Sequence, residues 1–186
     1  MIDVCIVSYR CPDELHLCLR ACEASSVADQ LNLVVVDNDS RDGTVELVRR
    51  LHPRVRVVAN DRNAGFATGC NQAVALGSAA YVLLLNPDTA ADPAAFARLA
   101  DLLERRPRAA VAAPQLRNED GSLQKSAYRF PTVRSALADY SSLSALFPKC
   151  PLFLGAQMHE WAHDGTREVD WATGACLLFR RSALDE

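Results

Sequence analysis

The sequence predicts an α/β domain built on a mostly parallel central sheet, and three observations carry that expectation. Short aliphatic runs alternate with longer segments whose apolar residues recur at helical spacing. The runs are too apolar to leave one face in water, as in a parallel sheet covered on both sides. With 186 residues, 49% of them apolar, the chain is long enough for one domain with a substantial core.

The strands read as "IDVCIVSY" (2–9), "LNLVVVD" (31–37), "VRVVAN" (55–60), "AYVLLLN" (80–86) and "AAVAAP" (109–114). Between them helices are expected at 12–24, 43–52, 65–77 and 93–105. Pro12 suits a first helical turn, Ser40 and Asp42 precede the second helix, and Asp92-Pro93 supplies an N-cap followed by proline at N1. The resulting βαβαβαβαβ order favours right-handed crossovers and a doubly wound sheet. After Pro114 the texture changes. "RNEDGSLQ" places an Asp120-Gly121 turn between two polar segments, as a β-hairpin would. Residues 133–147 then set Val133, Leu137, Tyr140, Leu143 and Phe147 near one helical face. No internal repeat, low-complexity tract or interdomain linker interrupts the chain.

Charge and cysteine usage bound the function class. A net charge of −3 gives no general electrostatic reason to bind nucleic acid. Seven cysteines without a C-x-x-C pair suggest neither a full disulfide framework nor a zinc ribbon, and fit reduced thiols in a cytoplasmic protein. The start, Met1-Ile2-Asp3-Val4, lacks the basic and long apolar regions of a signal peptide, and no apolar run nears the roughly 18 residues of a membrane span. A soluble protein is expected, with contact at the inner face of a membrane left open.

In open α/β sheets ligands bind outside the carboxyl ends of the strands. There strand two ends in Asp37-Asn38-Asp39-Ser40, strand three leads to Asn60-Asp61-Arg62-Asn63-Ala64-Gly65, and strand four ends in Asn86-Pro87-Asp88. Each could be an ordinary turn or cap, but successive strand ends bring carboxylates and amides to one rim. After strand one, Ser8-Tyr9-Arg10-Cys11-Pro12 replaces the glycines of a dinucleotide fingerprint, and no P-loop is present. A phosphorylated ligand therefore needs another source of positive charge. Asp88 is a candidate ligand for Mg²⁺ or Mn²⁺, hard cations that take oxygen donors and bridge to phosphates. Asp37 could accept hydrogen bonds from a base N–H or a ribose hydroxyl.

Five blocks, "VSYR" (7–10), "VVVDNDSRDGT" (34–44), "NAGFATGCNQA" (63–73), "LLLNPDT" (83–89) and "VDWATGACLLFRRSAL" (169–184), in this order and spacing resemble the GT-A glycosyltransferases of family 2, especially the rhamnosyltransferase-like branch. The resemblance covers essentially the whole chain. It implies a GT-A fold, a Rossmann-like nucleotide-diphospho-sugar transferase fold, and a single domain over 1–186. Residues 1–115 are then the nucleotide-binding half, and 116–186 the beginning of the acceptor-side half.

The same resemblance implies donor-nucleotide binding by Ser8, Tyr9, Arg10, Asp37, Asn38, Asn63, Gly65, Phe66, Asn71 and Asn86, with Asp88 as metal ligand. Trp171, Thr173 and Gly174 fall on the acceptor and sugar side. The implied reaction moves a sugar from a nucleoside-diphosphate sugar to an acceptor hydroxyl with inversion, in cell-surface polysaccharide or glycoconjugate synthesis. The acceptor is a saccharide or lipid-linked saccharide, and the branch suggests dTDP-rhamnose as donor. In relatives the general base is an acid downstream of the block matching Trp171 to Arg181. It is expected beyond Glu186, so the chain reads as C-terminally truncated and the catalytic residue is unassigned. The alternative class is a non-catalytic nucleotide-sugar binding module. A sugar-phosphate nucleotidyltransferase would need a Gly-rich basic loop after strand one.

Other signals compete. "HEWAH" (159–163) matches the H-E-x-x-H zinc pattern, but Asp164-Gly165 follows at once and no helical stripe precedes it. Cys18 and Cys22, at i,i+4, read as packing. The 133–147 stripe reads first as core or lid packing and second as an acceptor-side or membrane-facing surface. Arg180-Arg181 reads as a solvated pair, or as facing a diphosphate.

Overall fold

The computed structural model describes residues 1–184; Asp185 and Glu186 lie outside the described residues. The chain begins β1 (Ile2–Ser8), α1 (Pro12–Glu23), β2 (Leu31–Asp37), α2 (Thr44–Leu51), β3 (Arg56–Ala59) and α3 (Phe66–Ala75). It continues with β4 (Tyr81–Leu85), α4 (Ala95–Arg105) and β5 (Val111–Ala112). Then come β6 (Leu116–Arg117), β7 (Leu123–Gln124), β8 (Ala127–Tyr128), α5 (Val133–Tyr140), α6 (Leu143–Leu146), β9 (Trp171–Ala172) and β10 (Cys176–Arg180).

Residues 1–114 and the chain from Gly174 form one compact unit, and Gln115–Thr173 a second. The first unit holds a six-stranded sheet in the order β3-β2-β1-β4-β10-β5. The four strands β3, β2, β1 and β4 pair in parallel. β10 runs antiparallel between β4 and β5. The expected mostly parallel α/β sheet is therefore present, with one strand that the alternating pattern did not announce. The expected strand at 109–114 shrinks to Val111–Ala112, because only these residues meet β10.

All seven residues of β1 are buried, as a central strand covered on both faces requires. Ile2, Val4 and Ile6 face a cluster built from Leu15 and Leu19 of α1, Val48 of α2 and Phe96, Leu99 and Leu103 of α4. Cys5 faces a smaller cluster with Val34, Val36, Ala73 and Val82. α3 approaches β1 closely on this side. A Cβ added at Gly69 would stand 2.9 Å from both methyls of Val7, so the helix needs that glycine to lie flat on the strand.

The helices fall where expected, but two of their caps differ. α2 is entered through Gly43 at φ 87°, with Asp42 Oδ1 accepting the Thr44 N–H at 3.1 Å. Ser40 is drawn away to Asp37 instead. α4 starts at Ala95 rather than Pro93, because Asp92 closes a turn by accepting the Ala94 and Ala95 N–H groups first. All seven cysteines are free thiols. Cys18 and Cys22 are 1% exposed in the core, as packing predicts. The Cys18 thiol is held far above its ordinary range by its hydrogen bond to the Cys22 thiol and by burial, and burial pushes Cys176 up to about 12.

Arg180 and Arg181 are neither solvated nor at the ligand rim. Arg180 pairs with Tyr81 in the register and donates to the carbonyls of Ala109 and Leu103. Arg181 donates to Asp3 Oδ2 at 2.6 Å and to the Ala79 carbonyl at 2.7 Å. Both lie at the amino end of β1 and β4, the end opposite the ligand rim.

In the second unit the Asp120-Gly121 turn closes the β6–β7 hairpin as expected, with Gly121 at φ 80°. β8 and β9 form a second short antiparallel pair. α5 opens on a capping box between Thr132 and Ser135. The expected 133–147 helix is broken in two, because Ser142 takes φ 61°, a conformation no helix continues through. Among the described residues no helix is long and apolar enough to cross a membrane.

Candidate active site

The first unit's parallel register brings the carboxyl ends of β1, β2 and β4 to one rim: Ser8 lies beside Asp37, and Ile6 beside Leu85. Ser8, Asp37, Asn38 and Ser40 are all buried, at 0 to 3% exposure. Ordinary turn residues stand in solvent, so four buried polar groups in two adjoining loops need internal partners. They have them. Ser40 donates its backbone N–H to Asp37 Oδ2 at 3.0 Å and its hydroxyl to Asp37 Oδ1. The Ser40 hydroxyl oxygen also accepts the Arg10 N–H at 3.0 Å. Ser40 thus fixes the Asp37 carboxylate and ties the first loop to the second.

These loops are strained. Arg10, Asp39 and Arg41 sit at φ 54°, 65° and 54°, a left-handed conformation that costs a side-chain-bearing residue about 1–2 kcal/mol each. Beside them Tyr9 is 43% exposed, and the Arg10 guanidinium lies 5.1 Å from its ring centroid. A flat aromatic face and a cation therefore stand in solvent beside a buried carboxylate.

Asn38 is turned into the protein. Its Nδ2 donates to the Gly65 carbonyl at 3.2 Å, and its Oδ1 accepts from Asn60 Nδ2 at 2.9 Å. Asn60 in turn exchanges amide hydrogen bonds with Gln72. This chain of three amides holds the loop that runs from Asn63 into α3. There Asn63 Oδ1 accepts the Gly65 N–H at 2.9 Å, Gly65 takes φ 86°, and Phe66 is 52% exposed at the helix start. Asn71 does not join them. It stands about 200° around α3 from Gly69, on the exposed side of the helix away from Val7.

At the end of β4, Asn86 donates its N–H to the Ala175 carbonyl at 2.9 Å, and its own carbonyl accepts the Thr89 N–H at 3.2 Å. The Asn86–Thr89 turn is thereby pinned to the residue after Gly174, whose neighbourhood is open: nothing lies within 4 Å of a Cβ built there. Asp88 is exposed. No hydrogen bond or ion pair among the described residues engages its carboxylate.

Trp171 and Thr173 belong to the second unit. Trp171 stacks on Tyr128 at 4.2 Å between centroids and 16° between planes, and is 45% exposed. Thr173 donates its N–H to the Ser126 carbonyl at 2.8 Å.

The H-E-x-x-H reading fails on local structure. Residues 158–163 form turns and coil rather than a helix, so the two imidazoles share no helical face. His159 meets Lys125, Glu160 pairs with Arg129 and Arg167, and His163 stacks on Trp161 at 3.9 Å. Burial and the neighbouring Lys125 hold both histidines below their ordinary pKa.

No group of three or more His, Cys, Asp or Glu side chains among the described residues converges on a metal position. A divalent cation would depend on oxygens from a ligand. Mg²⁺ and Mn²⁺ are commonly held that way, by one or two carboxylates plus substrate phosphates, and the free carboxylate of Asp88 fits that mode.

Three positioning residues escaped the sequence reading: Ser40, taken for a helix cap, and the Asn60–Gln72 pair. One signal was available. Asn60 follows β3 as Asn38 follows β2, and a polar amide directly after each of two adjacent parallel strands invites a bond between them.

The family model described as "Glycosyl transferase family 2" matches residues 3–186. Two curated proteins, from the CDC 1551 / Oshkosh and H37Rv strains of Mycobacterium tuberculosis, are each 32% identical over 168 residues, covering 84% of this chain and 54% of theirs. Each is named N-acetylglucosaminyl-diphospho-decaprenol L-rhamnosyltransferase. The chain thus spans about half the length of the curated relatives it matches.

Among solved structures, the mannosyltransferase PcManGT from Pyrobaculum calidifontis, in complex with GDP-Man and Mn²⁺, superposes with a TM-score of 0.61 at 20% identity, over 99% of this chain and 45% of that one. S. aureus TarS 1-349 in complex with UDP-GlcNAc gives a TM-score of 0.59 at 18% identity, over 74% and 42%. These structures bear out the expected GT-A fold. A parallel rim with a buried carboxylate at β2 and a free one after β4, on a chain matched by the family model almost end to end, establishes that this protein belongs to glycosyl transferase family 2.

Proposed function

We propose that this chain carries the donor site of a metal-dependent, inverting glycosyltransferase that moves a sugar from a nucleoside diphosphate to a hydroxyl of a lipid-linked saccharide. The observation that carries this reading is the division of labour between two carboxylates of one rim. Asp37 is buried and fixed by Ser40, whereas Asp88 is exposed with no hydrogen-bond or ion-pair partner among the described residues.

Each Asp37 oxygen accepts one bond from Ser40, and a carboxylate has about four acceptor sites. Acceptor capacity remains for a base N–H or a ribose hydroxyl. Discrimination of this kind is strong, because a ligand lacking the donor leaves a buried anion under-solvated. The exposed Tyr9 ring offers a stacking face, Arg10 brings positive charge, and the Asn63–Phe66 loop, braced by Asn38, walls the nucleotide. Asn86 holds the turn that presents Asp88. A bound Mg²⁺ or Mn²⁺ would neutralise charge that accumulates on the departing diphosphate, stabilising the transition state more than the ground state.

The relatives' name supports a lipid-linked acceptor and a rhamnosyl donor for the same reaction. On this reading Trp171, Thr173 and Gly174 serve the sugar and acceptor side, and the protein works in the cytoplasm at a membrane face.

Calorimetry with UDP, GDP and dTDP, with and without Mn²⁺, tests the assignment. Binding is expected to tighten at least about tenfold with Mn²⁺, and Asp88→Ala is expected to abolish that gain while leaving the fold intact. Binding that ignores Mn²⁺, or that survives Asp88→Ala unchanged, overturns the metal role.

A further inference from the structure

The second unit exposes an apolar surface that nothing among the described residues covers. Val133, Leu137 and Tyr140, at i, i+4 and i+7 of α5, are 82%, 64% and 94% exposed. Beyond the break at Ser142, Phe147 and Leu152 are exposed as well. Leu137 and Leu152 line one shallow depression together with Arg134 and Phe153, and Phe147 packs at 6.0 Å on Phe153. A contiguous patch of this kind on a small protein marks an interaction surface.

Charge identifies its partner. The chain as a whole carries −3, and residues 115–173 hold six cations against seven carboxylates. Within 121–158, however, where the patch lies, four cations, Lys125, Arg129, Arg134 and Lys149, stand against one carboxylate, Asp139. Two of the four are engaged, Lys125 with His159 and Arg129 with Glu160, which leaves Arg134 and Lys149. The Asp139 carboxylate is occupied within the unit, accepting from Ser144 Oγ and from the Ala156 N–H. Arg134 and Lys149 are exposed, with no ion-pair partner among the described residues. Exposed leucine, phenylalanine and tyrosine side chains interleaved with unpaired cations are the composition of a segment lying in a bilayer interface. There the apolar groups enter the acyl boundary and the cations meet anionic headgroups.

We propose that the α5–α6 surface is the site at which this protein docks on an anionic phospholipid membrane. It builds on the lipid-linked acceptor reading, since a bound bilayer would present such an acceptor at the protein surface. Its physical basis, however, is confined to the second unit.

The test is flotation of the full chain with vesicles of phosphatidylcholine alone and with about 30% phosphatidylglycerol. Binding is expected on the anionic vesicles and should weaken with salt. Leu137→Ser combined with Tyr140→Ser should lower the partition coefficient about tenfold or more. Arg134→Glu should lower it at least about fivefold, on anionic vesicles only. Leu17→Ser, at an exposed leucine of α1, should change nothing. Circular dichroism checks folding. Nucleotide calorimetry on the same variants should be unaltered, so that the docking surface and the donor site stand or fall separately. No vesicle binding, equal binding by all variants, or self-association in sedimentation that Leu137→Ser and Tyr140→Ser abolish, which would place a second copy on the patch, overturns the proposal.

Discussion

Two carboxylates are buried at opposite ends of the central strands, and only one of them is neutralised. Asp3, fully buried at the amino end of β1, accepts from Asn32 Nδ2 and the Ala79 N–H at 2.8 Å, and from Arg181 at 2.6 Å. The Asp37 carboxylate, 3% exposed at the carboxyl end of β2, accepts only from Ser40 among the described residues, and no cation among them pairs with it. The amino end is closed and balanced, whereas the carboxyl end keeps a desolvated anion with spare acceptor capacity. Such an arrangement is poor for stability and suited to a ligand that brings donors. The difference separates a carboxylate that holds the fold from one that serves a site.

The largest effect should come from breaking the closed end. Asp3→Ala leaves the mostly buried Arg181 without its counter-charge, and is expected to cost about 3–5 kcal/mol in urea unfolding. A loss below about 1 kcal/mol would show that the pair contributes little. At the open end the order should reverse. Asp37→Asn is expected to leave stability unchanged or slightly raised, while weakening nucleotide binding about tenfold to a hundredfold, the value of a hydrogen bond to a charged acceptor. If it instead unfolds the protein as Asp3→Ala does, the distinction between the two ends is lost.

How far this contrast could be read in advance varies along the chain. The four βα repeats announce themselves by periodicity, and Asp37 and Asp88 by their place after apolar runs, since both signals are local. β10 did not, because "CLLFR" becomes an internal antiparallel strand only through pairing with residues some ninety positions earlier. Arg181 was misjudged for the same reason: its partner, Asp3, lies at the other end of the sequence. Ser40 looked like a helix cap because Ser before a helix usually is one. Here the adjacent buried carboxylate competes for its hydroxyl and wins, since an unsatisfied buried anion costs more than an uncapped helix end.

Packing sharpens the comparison further. A Cβ at Gly77 would stand 2.1 Å from Asp3 Oδ2, whereas nothing lies within 4 Å of one at Gly174 on the rim. Gly77→Ala should therefore destabilise by about 1–3 kcal/mol, and Gly174→Ala should stay within about 0.5 kcal/mol in the same unfolding assay. Equal costs at the two positions would mean that the rim is as tightly filled as the closed end.

The smallest expected change in ligand affinity is at Ser40, and it separates positioning from packing. Ser40→Ala removes the hydroxyl that bonds Asp37 and the acceptor of the Arg10 N–H, at about 1 kcal/mol of stability. If Ser40 only fills space, nucleotide affinity will not move. If it orients Asp37, affinity for UDP or dTDP should fall about fivefold while Mn²⁺-dependent affinity for pyrophosphate, which lacks a nucleoside, stays constant. Equal weakening of pyrophosphate and nucleotide would instead show that Ser40 supports the whole rim, because only a contact confined to base or ribose leaves pyrophosphate untouched.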